Sequence, residues 1–122
     1  MKRLREHHIS FKNALNGLRW SFSTQPNFAV HFMLSAFALL LAWFLRIEML
    51  EILVIFMVIV FGLGAEMINT AIEAMTDMIT REWKQEAKIA KDVAAGMMLL
   101  YAIGAFIVGA FIFLPRLAGL IL

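Results

Sequence analysis

Apolar residues dominate three long blocks of this chain, and short polar stretches separate them. The first block runs from about Asn27 to Ile47, NFAVHFMLSAFALLLAWFLRI, with His31 one turn in. Its length of about 20 residues suffices to cross the hydrocarbon core of a bilayer. Arg46, Glu48 and Glu51 mark a short turn, and the second block spans about Met49 to Met78. The third extends from about Lys91 to Leu114, where Pro115 is expected to close it. Ahead of them, Ile9, Phe11, Leu15, Leu18 and Phe22 recur at mostly helical spacing among Lys12, Asn13, Asn16 and Arg19. This pattern predicts an amphipathic helix over about 9–23 that lies at the membrane surface. Residues 1–8 are expected to fray, and Ser-Thr-Gln-Pro at 23–26 to turn the chain. The polar connection over about 79–90, ITREWKQEAKIA, should hold a turn flanked by short helical extensions.

The second block is longer than a bilayer requires, so its last turns should project beyond the apolar core. Those turns, EMINTAIEAMTD, carry Glu66, Asn69, Thr70, Glu73 and Asp77. At about 100° per residue the five fall within roughly 100° of arc, on one helix face. A stripe of carboxylates and an amide is costly in a membrane helix. It serves as polar glue between helices, or it binds a cation, a phosphate or a substrate. Gly62 and Gly64 precede it, and Ala94, Ala95, Gly96, Gly104 and Gly109 lie in the third block, all suited to close helix approach.

Composition agrees with an all-α membrane protein: 62% of the 122 residues are hydrophobic and only 16% charged, far from soluble-domain proportions. The expected architecture is one domain over 1–122, a surface helix plus three spans, with no cleavable leader. The chain has no cysteine, which excludes disulfides, thiolate metal sites and cysteine nucleophiles. Its pI near 9.3 raises the question of nucleic acid. The cations sit beside the spans, so membrane topology explains them better and no nucleic-acid partner is expected. Lys2, Arg3, Arg5, Lys12 and Arg19 precede the first span, and Arg81, Lys84, Lys88 and Lys91 lie between the second and third. Only Arg46 and Arg116 fall on the other side. The positive-inside rule then places the N-terminus and the 79–92 loop in the cytoplasm, where ATP is.

No phosphate-binding glycine loop, kinase motif set, nucleophile elbow or zinc spacing is present. The stripe nevertheless suits phosphoryl transfer, which needs a metal, a cation on the phosphates and a group that orients the attacking hydroxyl. Carboxylate oxygens suit Mg²⁺. Glu66 and Glu73 are two helical turns apart, about 10 Å, so they could serve a hydroxyl and a metal at adjoining places, with Asn69 between them. Lys91 and Asp92 open the third span, where Lys91 could reach phosphate.

The pattern E-x-x-N-T-A-I-E-x-x-x-D, followed by A-K-D-x-A-A-G, resembles the small bacterial integral-membrane lipid kinases, the prokaryotic diacylglycerol kinases and their relatives the undecaprenol kinases. F-K-x-A-x-x-G-L at 11–18 and N-F-x-x-H at 27–31 fit as well, the latter nearer the undecaprenol-kinase branch. The resemblance covers nearly the whole chain. It implies a homotrimer with shared active sites in the bacterial inner membrane, Mg-ATP as phosphoryl donor, and a lipid alcohol taken from the bilayer. It also implies roles for the residues. Glu66 matches the catalytic base, Glu73 a metal ligand, and Asn69 the amide beside the base. Lys91 and Asp92 match the pair near the nucleotide phosphates, and Asp77 the motif's last acid, on the nucleotide side. One departure stands out: where the family commonly has a second metal-binding Glu, this chain has Gln25 before Pro26. Either fewer protein charges hold the metal, or Gln25 binds through its carbonyl, or activity is reduced.

Several residues keep two readings. Arg19 could meet lipid headgroups or ATP phosphates. His31 could act at the site or simply hydrogen-bond across helices. Trp83 could stack on adenine or anchor at the interface. Lys88 reads as solvated, and the methionines as packing. The favoured function is an ATP- and Mg-dependent lipid kinase acting on undecaprenol, with diacylglycerol as the alternative acceptor. A proton-coupled transporter built on Glu66 is the competing class, and an inactive homologue, with the amide of Gln25 where the family has a carboxylate, is the third.

Overall fold

The computed structural model describes residues 2–121, with side-chain surroundings from Ser10 onward. The basic side chains of Lys2, Arg3 and Arg5 therefore lie outside the description. Four helices make up the fold: α1 (Lys2–Thr24), α2 (Pro26–Phe44), α3 (Met49–Ile79) and α4 (Gln85–Ile121). The last three are long and apolar enough to cross a membrane. The chain is thus an all-α membrane protein with one amphipathic helix ahead of three spans.

The elements differ from expectation at their ends. Residues 2–8 continue α1 as helix. The turn expected over 23–26 shrinks to Gln25, because Pro26 sits at the first position of α2, where its missing N–H costs nothing. Phe22 packs on Phe28 and Phe32, with ring centroids 5.1 and 5.0 Å away, and so fixes the elbow between α1 and α2. The first span ends at Phe44 rather than Ile47. Ile47 N–H bonds back to Ala42 and Arg46 N–H to Trp43, with Arg46 in the left-handed region at φ 50°. This bond pair is the Schellman way of ending a helix.

The third apolar helix takes in the helical extension expected after the loop, starting at Gln85, and runs past its expected end through Pro115 to Ile121. Proline tolerates such a place in a membrane helix when neighbours secure the chain around it. Arg116 does so, clasping both carboxylate oxygens of Glu51 at 3.0 and 2.6 Å and the Ile112 carbonyl at 2.8 Å. That clasp ties the start of α3 to the far part of α4, as an antiparallel hairpin about residues 80–84 requires.

α3 packs on α4 and on α2, and α2 on α1. Gly62 is where α3 and α4 meet most closely: the tip of Tyr101 occupies the space a Cβ would need, and its hydroxyl donates to the Val58 carbonyl at 2.7 Å. Gly64, Gly96 and Gly104, expected to pack tightly, meet nothing comparable within the chain. The buried core is small, centred on Ala42, Ile47, Ile55 and Ile112. Phe37, Trp43, Phe61 and Phe106 lie bare on the outside, suiting a body surrounded by hydrocarbon.

Candidate functional site

α3 is 31 residues long, about 46 Å, against a hydrocarbon core of about 30 Å. A span that enters at Met49 therefore uses up the core near Ile68, and Glu66 stands at that edge. The stripe divides there. Glu66, Asn69 and Thr70 are buried, Glu66 to 3% exposure, whereas Glu73 and Asp77 are open.

Two residues on the first turns of α2 face the Glu66 carboxylate. Asn27 donates its side-chain N–H to Oε1 at 2.9 Å, and His31 Nε2 lies 3.9 Å from Oε2. Tyr101 of α4 approaches His31 with 6.2 Å between ring centroids. One turn beyond Glu66, Asn69 donates to Glu73 Oε1 at 3.3 Å. The other amide atom, Asn69 Oδ1, is buried and has no partner. Next in line, Asp77 accepts from Lys91 Nζ at 2.5 Å across the hairpin. Asp92, adjacent in sequence, turns back to Lys88 one turn earlier instead. The Lys91-Asp92 pair therefore points two ways, and only Lys91 reaches the stripe.

Gln25 and Arg19 stand apart. Gln25 holds the N-cap position of α2 without a side-chain capping bond, and its amide donates to Thr24 at 3.2 Å. Arg19 is exposed on α1. Among the described residues, neither has a hydrogen bond or ion pair to α3. Trp83, 79% exposed in the hairpin loop, touches no part of the stripe through a hydrogen bond.

The oxygens at Asn69 and Glu73 suit a magnesium ion. Each is a hard donor, the open Glu73 carboxylate braced by the Asn69 N–H and the Asn69 carbonyl left without a partner on the other side of the amide, and Mg²⁺ takes one or two carboxylates plus phosphate and water rather than a full protein cage. Among the described residues no three His, Asp or Glu side chains converge.

Below Glu66 a cleft of about 680 Å³ opens between α2, α3 and α4. Asn27, His31 and Glu66 stand at its head, and Leu34, Ile59 and Phe106 are among its apolar walls. From Glu66 to Ile55 it extends about 16 Å along α3. The two hydroxyls that line it are already engaged, Ser35 with the His31 carbonyl at 2.7 Å and Tyr101 with Val58. Sequence reasoning had His31 as one of two readings and missed Asn27 and Tyr101 as site residues. The i, i+4 spacing of Asn27 and His31, at a membrane edge like that of Glu66, was the available signal.

Known proteins resemble this chain along most of its length. The family model of prokaryotic diacylglycerol kinase matches residues 12–113. A diacylglycerol kinase of Synechocystis is 36% identical over 113 residues, which are 92% of this chain and 65% of that protein. This chain thus spans just under two thirds of that relative's length. An undecaprenol kinase of Bacillus subtilis is 35% identical over 108 residues, 88% of each chain. With a match across the surface helix and all three spans, the chain belongs to the prokaryotic diacylglycerol kinase family.

Proposed function

We propose that this protein transfers the γ-phosphoryl group of ATP to the hydroxyl of a membrane lipid alcohol, and that the alcohol is undecaprenol. The observation that carries the reading is the placement of Glu66: buried, and at the head of an apolar cleft, while the acids beyond it are open to water. A lipid hydroxyl enters from below and a nucleotide from above. Glu66 Oε2 takes the hydroxyl proton as the alcohol oxygen bonds to the γ-phosphorus and the bridge to the β-phosphate breaks, leaving ADP and a lipid monophosphate. A base placed this way contributes about 10²–10⁴ in rate.

Glu73 would hold Mg²⁺, with Asn69 bracing that carboxylate through its N–H and Gln25 assisting through its carbonyl, and the ion would neutralise phosphate oxygens. Lys91, kept at the stripe by Asp77, steadies the phosphates, and Asp77 lies on the nucleotide side, while Asp92 acts there only if it leaves Lys88. Arg19 on α1 meets either headgroups or phosphates. The site faces the cytoplasm by the cation distribution, in a bacterial inner membrane. The open half of the stripe and the bare glycines of α3 and α4 suit a homotrimer with shared sites.

The cleft favours undecaprenol over diacylglycerol. Diacylglycerol carries ester carbonyls just below its hydroxyl, and these need donors once out of water. Ser35 and Tyr101 donate to helix carbonyls instead, so the walls below His31 suit a plain hydrocarbon. N-F-x-x-H at 27–31 points the same way. Purified protein with Mg²⁺ and radiolabelled ATP, offered a panel of membrane alcohols, tests the reading. Undecaprenol should be phosphorylated fastest, and Glu66→Gln should lower turnover at least 100-fold. Faster turnover of diacylglycerol overturns the choice of lipid. Undiminished turnover by Glu66→Gln removes Glu66 as base, and no transfer to any alcohol refutes the kinase.

A further inference from the structure

The geometry points to a second group on the acceptor hydroxyl: we infer that His31 binds it together with Glu66, while Asn27 fixes the carboxylate. This inference rests on the lipid-kinase reading above and goes on to name how the acceptor is held.

Three observations carry it. First, Glu66 is divided between its two oxygens. Oε1 takes the Asn27 N–H at 2.9 Å, a normal hydrogen bond that also fixes the carboxylate plane. Second, the distance from Oε2 to His31 Nε2 is 3.9 Å, too long for a direct hydrogen bond. It is, however, a span that one oxygen atom can bridge. A hydroxyl oxygen about 2.8 Å from both atoms subtends roughly 90° between them, which a hydroxyl accommodates as donor to one and acceptor from the other. Third, Asn27, His31 and Glu66 all line the head of the apolar cleft, so an alcohol whose chain lies there brings its hydroxyl to this gap.

The direction of each bond follows from chemistry. The carboxylate can only accept, so the hydroxyl donates its proton to Oε2, the proton that leaves in the reaction. The Nε2-protonated imidazole donates to one hydroxyl lone pair, leaving the other for phosphorus. The two hydroxyls that line the cleft, Ser35 and Tyr101, are engaged with the His31 and Val58 carbonyls and do not compete. At 3.9 Å His31 makes no direct hydrogen bond to Oε2, which leaves that oxygen able to accept one.

Steady-state kinetics of the purified protein in lipid nanodiscs, with undecaprenol, Mg²⁺ and ATP each varied, test the inference. His31→Leu should lower kcat about 30-fold to 100-fold, the scale of a misplaced reactant, with the KM for ATP within twofold of the parent. His31→Gln keeps an N–H donor near the Nε2 position and should recover most of the loss. Asn27→Leu should lower kcat on the same scale. If His31 only braces the helices, both His31 variants shift the melting temperature while kcat stays within threefold, and that result overturns the inference alone. A His31→Gln no faster than His31→Leu overturns it too. A parent protein that phosphorylates no alcohol removes this inference along with the reading beneath it.

Discussion

Gly62→Ala is the substitution from which the helix packing can best be measured. Gly62 is buried where α3 crosses α4, and an added Cβ would sit 2.2 Å from the Tyr101 hydroxyl oxygen and 2.4 Å from the ring carbon that bears it. Real carbon contacts do not approach so near, so the phenol has to move. Moving it breaks the 2.7 Å bond to the Val58 carbonyl, about 1 kcal/mol. Overpacking adds about 1–3 kcal/mol. A net loss of about 3 kcal/mol corresponds to roughly 10 °C in melting temperature for a chain of this size. Thermal unfolding in a fixed detergent, followed by circular dichroism, measures it. Tyr101→Leu should cost stability alone yet recover stability in the Gly62→Ala background, a coupling of more than about 1 kcal/mol for two residues in contact. Equal melting temperatures for Gly62→Ala and the parent, or strictly additive effects in the double variant, would refute the packing argument.

Two further outcomes follow from the described contacts. Glu73→Gln should raise the magnesium concentration for half-maximal activity about tenfold, while Gln25→Glu should lower it, because a carboxylate outbids an amide for this ion; magnesium titrations at saturating ATP that leave both variants unmoved would exclude these two as ligands. Arg116→Met should cost about 1–3 kcal/mol, since Glu51 loses its clasp in a half-buried place. Its kcat should stay near that of the parent, because Glu51 is about 22 Å along α3 from Glu66, and unfolding curves alongside the kinase assay check both parts.

The apolar blocks were legible as helices because each is long enough to span a bilayer and lacks charge. The stripe on α3 was legible because 3.6-residue periodicity decides which side chains share a face. What periodicity cannot give is which residues of different helices meet. Asp77 with Lys91 and Glu51 with Arg116 are consequences of one antiparallel hairpin, the first pair close to the loop at 80–84 and the second far from it, one partner of each on either side. Asn27 was read as the polar start of a span, and only the packing of α2 on α3 turns it towards Glu66. Pro115 misled for a related reason: its local preference ends helices, yet the Arg116–Glu51 clasp and the apolar tail keep this one going.

The division of the stripe between a dry carboxylate and wet ones has a consequence for turnover. In the proposed reaction the acceptor arrives as a neutral alcohol beside the buried Glu66, and the product carries a phosphate that belongs with water, on the side where Glu73 and Asp77 are open. The new headgroup would then leave towards the aqueous side while its tail stays dissolved among lipid chains. The charge acquired in that reaction would itself draw the product across the boundary of the two phases.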